Sequence, residues 1–551
     1  MIYLYLFGLK SLFKSLFITQ ASTTTSSDQG STTTSSSGPT TTPAPLEGQT
    51  ALEHYISYKD DAYSWDSPSW TVHGNPSDSG LSDYAWIRLN SQRYLNSTWI
   101  AEGEIWKHNI MICAGNVQTN SDDVGMLWIN GDGMSDDIAE YPRRNSEFKK
   151  LCDQAAQLGT VGAILHGIPK TVRFVGQDES WSEQLQSHGA AYYFSGDAPI
   201  SAIAEFPEVK AVSMALDAID EYLQQNGIRS KAITRWSITG GSKRGGVSLA
   251  TAAADPRIAV IHPNVQNVFH AMPEVFLNDL NALGGYNSGW GTHFDDGWYH
   301  FWLTPSEKRN IAEYALNLNK HHKDRMTSIP THFVLGSQDV MMHLDNVNVW
   351  WDQGWSSKQR TTMNILPNTG HSSGGDENTH PMHIYIQAMI NNEIDQLPYL
   401  DWNYSDENTI RACILRPVSG LEVFVYRGVA DQGRDFRGQG PKNQNIFQEV
   451  AFCDNVDGGG SNLECFDHQD NNISVSDVGG GCFEFTDNNS LPNGRYSAMW
   501  LTAEFQTNYQ NRDGENYVFK QSSGPLIRPN TMPFSICSSI DDCDLTGVGR
   551  A

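Results

Sequence analysis

The stretch that most limits what this chain can fold into is Ile233 to Ala254, ITRWSITGGSKRGGVSLATAAA. An apolar run through Ile233, Trp236 and Ile238 halts at Gly240-Gly241, presents Ser242, and resumes after Gly245-Gly246 as an alanine-rich segment suited to a helix. Strand, tight turn with one serine, then helix is the pattern of a nucleophile elbow. Glycines let the backbone take strained angles and leave room for the helix, so the serine hydroxyl projects from the carboxyl edge of a sheet. The pattern departs from G-x-S-x-G, because Arg244 occupies the last glycine position and Gly245 follows it. A Gly-x-Ser triplet also occurs in ordinary loops, so the stretch needs support from elsewhere in the chain.

That support lies downstream. Thr331 to Asp339, THFVLGSQD, reads as a buried strand ending in a glycine and then an acid, and Thr361 to His371, TTMNILPNTGH, as a second strand, a turn and a histidine. Ser242, Asp339 and His371 therefore fall in the order Ser, Asp, His, each just beyond an expected strand, as an α/β-hydrolase triad requires. Asp345 is close enough in sequence to be an alternative acid, although the residue just past the strand suits the geometry better. The expected oxyanion donors are the amide of Lys243 and one amide of the loop Asn130, Gly131, Asp132, which follows the apolar strand in GMLWINGDG (Gly125 to Gly133). A plain βα turn is the competing account of that loop. Arg244 is a candidate to address a substrate carbonyl, with pinning of the elbow as its plainer role. A histidine base must be neutral to accept a proton, so activity is expected to fall below about pH 6.

The rest of the chain supplies a frame for these residues. Tyr84 to Leu89 and Trp99 to Cys113 alternate as an antiparallel entry to a sheet, and VGAILHGI (Val161 to Ile168) is a further strand whose His166 reads as structural. Val209, Val212, Leu216, Ile219 and Leu223 form one helical stripe in Pro207 to Leu223, ahead of the elbow strand, and Ile258 to His262 is the strand after it. Alternation of strands and helices predicts an α/β fold, a doubly wound α/β-hydrolase sheet, over residues 47–402. A helix-leaning insertion at about 264–330, with Trp290, Trp298 and Trp302, is expected to act as a lid, and burial in the lid's own core is an equal account of those tryptophans. A closing helix is expected over Pro381 to Ile394, and its His380-x-x-His383 pair is too little for a metal site. Residues 403–551 change texture to short alternating strands separated by glycine and asparagine, which predicts a disulfide-rich β-sandwich-like domain. Acidic residues there (Asp454, Asp457, Asp467, Asp470) lack EF-hand spacing, and no metal or cofactor is expected.

Compartment follows from the N-terminus and the cysteines. Residues 1–21 are apolar but interrupted by Lys10 and Lys14, which fits an imperfect signal peptide and not a membrane span. Residues 22–46 are a Ser/Thr/Pro-rich stretch expected to be a disordered stalk. The 8 cysteines are even in number and lack C-x-x-C spacing, so disulfides are expected, and with them secretion. Sequons at Asn96, Asn403, Asn472 and Asn488 are candidate glycosylation sites. With 63 acidic against 37 basic residues, the formal charge of -26 argues against nucleic acid or an anionic membrane surface as partner and reads as solubility.

FPEVKAVSMALDAI (Phe206 to Ile219), TGGSKRG (Thr239 to Gly245), LPNTGH (Leu366 to His371), GRDFR (Gly433 to Arg437) and PNTMPF (Pro529 to Phe534) follow one another in that order within residues 50–535. Together they resemble the PhoPQ-activated pathogenicity-related protein family, which includes secreted autocrine proliferation repressor proteins. The resemblance implies an α/β-hydrolase core followed by a β domain, Ser242 in the nucleophile position, and a secreted peptidase-like or growth-regulatory role. Where that family often carries an acidic or aromatic cluster after the acid, this chain has Val340, Met341 and Met342.

Two functions from different classes are compatible with these features. One is a secreted serine hydrolase cleaving a small-molecule ester or a peptide at its acyl bond. The other is a secreted binding or signalling protein that uses a hydrolase scaffold to engage a cell-surface receptor. A third, with Tyr426 and Trp500 as carbohydrate-binding aromatics of the β domain, requires those rings to face outward.

Overall fold

The structure is a computed structural model that describes residues 48–539, 545 and 548, except 68–69, 72–83, 115–120, 132–145, 181–182, 269–270, 292, 294–295, 352–359, 373–374, 417–419, 431–432, 439–446, 455–463, 467–472 and 512. The expected signal peptide and stalk lie outside the described residues, as do Asp132, Asp457, Asp467, Asp470, Asn472 and Cys543.

The main sheet is built from β1 (Ser64–Asp66), β2 (Tyr84–Arg93), β3 (Ile105–Ala114), β4 (Val124–Ile129), β5 (Val161–His166), β6 (Arg235–Gly241), β7 (Ile258–Asn264), β8 (Thr331–Gly336) and β9 (Thr361–Leu366). They lie side by side in the order β1-β2-β3-β5-β4-β6-β7-β8-β9. The first three pair antiparallel, as the sequence predicts for the entry, and from β5 to β9 every neighbouring pair is parallel. Parallel strands covered on both faces must be apolar throughout, and β5 and β8 are buried at every position.

Helices cover both faces. The helix expected at Pro207 to Leu223 runs Glu205–Gln225 (α1) and packs against β2 and against the helix that leaves the elbow, Lys243–Ala254 (α2). Pro207 falls in the first turn of α1, where its missing N–H costs no intrahelical bond. On the other face Ser146–Leu158 packs against β3 and β5, beside the last helix of the hydrolase region, Asp376–Asn391 (α3). The sequence places the start of α3 at Pro381, but the helix begins a turn earlier and holds Pro381 inside. Asp376 and Glu377 favour that start, because carboxylates suit the positive end of the helix.

Between β7 and β8 the chain forms the helices Glu274–Leu283, Trp298–Leu303, Glu307–Leu316, Leu318–His321 and Lys323–Ser328. Trp290, Trp298 and Trp302 are each 1% exposed: Trp298 packs on Trp290 and Phe276 within the insertion, whereas Trp302 packs on Phe194 of the helix Glu183–Ser195 and so joins the insertion to the body of the hydrolase region.

The C-terminal strands are β10 (Tyr399–Asp406), β11 (Thr409–Leu415), β12 (Glu422–Ala430), β13 (Phe447–Asp454), β14 (Glu464–Phe466), β15 (Ile473–Gly479), β16 (Cys482–Asp487), β17 (Tyr496–Gln510), β18 (Asn516–Ser522) and β19 (Leu526–Arg528). They make a four-stranded antiparallel sheet, β10-β11-β16-β15, and a six-stranded one, β14-β13-β12-β17-β18 with β19 against β17. Ile410, Phe483 and Phe485 of the first meet Val423, Leu501 and Phe505 of the second in one apolar core, which is the sandwich the alternation predicts. That core continues into Met382 and Ile386 of α3, and the N–H of Ile365 in β9 donates to Ser522 Oγ at 2.9 Å. Trp500 is wholly buried and so serves the interior, while Tyr426, stacked on it at 5.5 Å, is partly exposed.

Disulfides tie β3 to the Ser146–Leu158 helix (Cys113–Cys152) and β11 to β16 (Cys413–Cys482), and Cys453 and Cys537 are also disulfide-bonded. Among the described residues no helix is long and apolar enough to cross a membrane.

Candidate active site

Ser242 stands between β6 and α2 with φ 57° and ψ -124°, a conformation that ordinary residues avoid. Two neighbours hold it there: its N–H donates to the Asn264 carbonyl at 2.8 Å, and its carbonyl accepts from Gln266 Nε2 at 3.0 Å. The glycines are required at specific points. A Cβ on Gly240 would lie 2.6 Å from the Arg244 carbonyl oxygen, and one on Gly245 would lie 2.8 Å from Gln266 Cβ, whereas Gly241 has open space. The tight spot that an elbow usually fills with glycine two residues after the serine is thus displaced to Gly245, and Arg244 is free to carry a side chain.

His371 and Asp339 reach the same point from the ends of β9 and β8. His371 Nε2 lies 2.8 Å from Ser242 Oγ, and its Nδ1 lies 2.9 and 2.8 Å from the two carboxylate oxygens of Asp339. A carboxylate can only accept, so Nδ1 carries the imidazole proton and Nε2 is left to accept from the serine hydroxyl. The Asp339 side chain is fully buried, while that of His371 is 21% exposed. The loop after β8 folds back to complete Asp339, whose Oδ1 also accepts the N–H groups of Met341 at 2.8 Å and Met342 at 2.9 Å. Asp345, the other acid eligible from sequence, pairs instead with Arg434, Oδ1 to Nη2 at 2.7 Å.

The loop after β4 corrects the expectation for the oxyanion donors. The Asn130 N–H donates to the Leu165 carbonyl at 2.8 Å, continuing the sheet, so Asn130 cannot offer its amide. The Gly131 N–H is capped by Asn130 Oδ1 at 2.8 Å and would become available only when that side chain turns aside. Lys243, the residue after Ser242, opens α2, and an amide in the first turn of a helix has no acceptor within the helix. Arg244 lies across this loop: its Nε donates to the Ile168 carbonyl at 2.6 Å, and a Cβ on Gly131 would come within 1.7 Å of its Nη2. Gly131 is therefore needed for the close approach of the guanidinium, and Arg244 pins the elbow to the loops after β4 and β5.

Behind the elbow, Glu205 and Glu208 lie in the first turn of α1. Burial pushes the Glu205 carboxyl up to about 7. Burial and the neighbouring Glu205 push Glu208 well above the usual carboxylate range, against the pull of Arg244 and Lys243. Neither oxygen of Glu208 has a hydrogen-bond partner among the described residues. Sequence reasoning missed this pair because acidic residues are ordinary at the start of a helix and nothing local marks these two as buried. It also missed Gln266 and Asn287, buried amides with no local pattern to mark them. His166 is buried, as expected, and His383 bonds Tyr517 through Nδ1 at 3.0 Å.

The sequence profile of the PhoPQ-activated pathogenicity-related protein family matches residues 52–437, which include Ser242, Asp339, His371 and the GRDFR segment. The chain belongs to that family. Over 513 residues it is 24% identical to autocrine proliferation repressor protein A of Dictyostelium discoideum, covering 90% of this chain and 93% of that protein. Among solved structures, acetyl xylan esterase 1 from Thermoanaerobacterium sp. superposes with a TM-score of 0.37 at 13% identity, covering 64% of this chain and 95% of that one. The glucuronoyl esterase from Solibacter usitatus gives a TM-score of 0.37 at 10% identity, covering 60% and 87%. For this family member the sheet order and the elbow define an α/β-hydrolase scaffold.

Proposed function

We propose that this family member is a secreted serine hydrolase that cleaves an ester or peptide acyl bond, with Ser242, His371 and Asp339 as its triad. The observation that carries the reading is the unbroken line from Ser242 Oγ through the His371 ring to the Asp339 carboxylate, with steps of 2.8 Å on either side of the imidazole. Ser242 Oγ attacks the acyl carbon as its proton passes to His371 Nε2. Asp339 holds the ring and stabilises the imidazolium without taking the proton, which His371 then gives to the leaving group. Water repeats the sequence to free the acid. The Lys243 amide meets the developing oxyanion, and the Gly131 amide joins it when Asn130 turns away; one such donor contributes roughly 100- to 1,000-fold in rate. Arg244 keeps these walls in register and is not assigned to substrate.

Fluorophosphonates test this directly, since they phosphorylate a serine activated by a neighbouring imidazole and spare ordinary serines. Purified wild type is expected to label stoichiometrically at Ser242, and Ser242→Ala and His371→Ala to remain unlabelled. Folded wild type that takes up no label would defeat the enzymatic reading.

The name of the Dictyostelium relative supports a second reading, in which the protein regulates growth through a cell-surface receptor. The disulfides suit an extracellular protein, and Asn96, Asn403 and Asn488 are exposed, as glycan attachment requires. Equal potency of Ser242→Ala and wild type in a growth assay would favour binding over catalysis.

A further inference from the structure

Asp339 is oriented from a distance. Its Oδ1 accepts the Met342 N–H at 2.9 Å, and that N–H belongs to the peptide joining Met341 to Met342. The carbonyl of the same peptide accepts from Trp290 Nε1 at 2.9 Å and from Asn287 Nδ2 at 3.2 Å. Donors on the carbonyl side polarise the peptide, strengthen its N–H and fix the plane in which it points.

Asn287 is completely buried, and its amide could in principle sit either way round. Its Oδ1 is claimed by Arg437 Nη1 at 2.7 Å and by the Gly289 N–H at 3.0 Å, which commits the NH2 group to Met341. A guanidinium has only donors, so a reversed Asn287 would set N–H groups against one another. Arg437 is in turn locked by a two-point pairing with Asp435, Nε to Oδ1 and Nη2 to Oδ2, each at 2.8 Å. Its side chain is 3% exposed. The contacts run without a break from Asp435 through Arg437, Asn287 and the Met341–Met342 peptide to Asp339, and from there to His371. Three separate parts of the chain meet here: the GRDFR segment, the helical insertion and the loop after β8.

We infer that Arg437 is a positioning residue for the site, holding Asp339 in line with the His371 ring by way of Asn287 and the Met341–Met342 peptide. This rests on the serine hydrolase reading above. It gives GRDFR a task that the triad alone leaves unassigned, since Arg437 touches neither Ser242 nor His371.

The test is the rate of fluorophosphonate labelling across pH on the full chain, for Arg437→Met, Arg437→Lys and Asn287→Asp, each in the wild-type and the Asp339→Asn background. Arg437→Met is expected to slow labelling by about 10- to 100-fold and to shift the pH midpoint, because small misplacements of catalytic groups have effects of that size. Arg437→Lys, which keeps one donor for Asn287 Oδ1, should restore much of the rate. Asn287→Asp guards against misfolding: it retains an acceptor for Arg437 but loses the donor to Met341, and should slow labelling similarly. In the Asp339→Asn background the same substitutions should change the rate by less than about 2-fold, since the group they act through is gone. Equal losses in both backgrounds, or an unchanged rate and pH midpoint in Asn287→Asp, overturn the inference while leaving the hydrolase reading intact. An unlabelled wild type removes both.

Discussion

Arg434 Nη2 holds Asp345 Oδ1 at 2.7 Å, with the two side chains 5% and 1% exposed, so the second aspartate of the loop after β8 is committed away from the histidine. Two acids only six positions apart in one loop thereby receive different tasks. Asp339 faces the imidazole, and Asp345 fastens the loop to the segment that contains Arg434.

That division has opposite consequences for the two amides. Asp339→Asn is expected to cut the labelling rate on the order of 10,000-fold with little loss of stability, as replacement of a triad acid does. Asp345→Asn should leave the rate per folded molecule nearly unchanged but destabilise the protein by about 3–5 kcal/mol, because a buried arginine loses its charge partner. Labelling kinetics set beside chemical denaturation check both, and the reverse ranking would transfer the role of acid to Asp345.

Much of this arrangement was legible in the sequence because it rests on local signals. The elbow is written in the glycines around Ser242 and in the change from strand to helix pattern, and Asp339 and His371 stand at the ends of buried apolar runs. What supports those residues was not legible. Whether a loop amide is free depends on contacts such as Asn130 with Leu165, which arise only when β4 and β5 pair across the helix between them. The choice between Asp339 and Asp345 depends on Arg434, which no spacing rule connects to either. The helix α3 begins at Asp376, ahead of the expected Pro381, with the acidic residues of its first turn before the proline.

The carboxyls of Glu205 and Glu208 predict how stability varies with pH. Burial raises both above the ordinary glutamate range, Glu205 to about 7. A group whose folded value lies above its unfolded value keeps its proton in the native state while the unfolded chain releases it. The unfolded chain then binds fewer protons at these two positions, so the stability they contribute falls as pH rises from the unfolded value near 4.3 through the folded value. The contribution of this pair to the melting temperature is therefore expected to decline between about pH 5 and pH 8, against the opposite contribution of the buried His108, His262, His332 and His383, whose lowered values add stability as pH rises, and Glu208→Gln, which stays neutral, isolates the carboxyl's share. The gain from Glu208→Gln should be larger at pH 8 than at pH 5. A gain independent of pH would mean that Glu208 is already ionised in the native state.

The conformation of Ser242 makes the most direct link between stability and function. A serine at φ 57° and ψ -124° is strained by its Cβ, and strain of this kind costs on the order of 1–3 kcal/mol. Surrounding contacts hold it in place: the Asn264 carbonyl, Gln266 Nε2, and the close packing at Gly240 and Gly245. Glycine adopts such angles without penalty, whereas alanine keeps the Cβ and hence the strain. Ser242→Gly should therefore be more stable than Ser242→Ala by about 1 kcal/mol, after allowing for the greater entropy of glycine in the unfolded chain. Neither variant should react with a fluorophosphonate. Urea denaturation of the two variants side by side measures the difference. Equal stability would mean that the elbow relaxes around residue 242 and that the serine is not held at the sheet edge against a conformational cost.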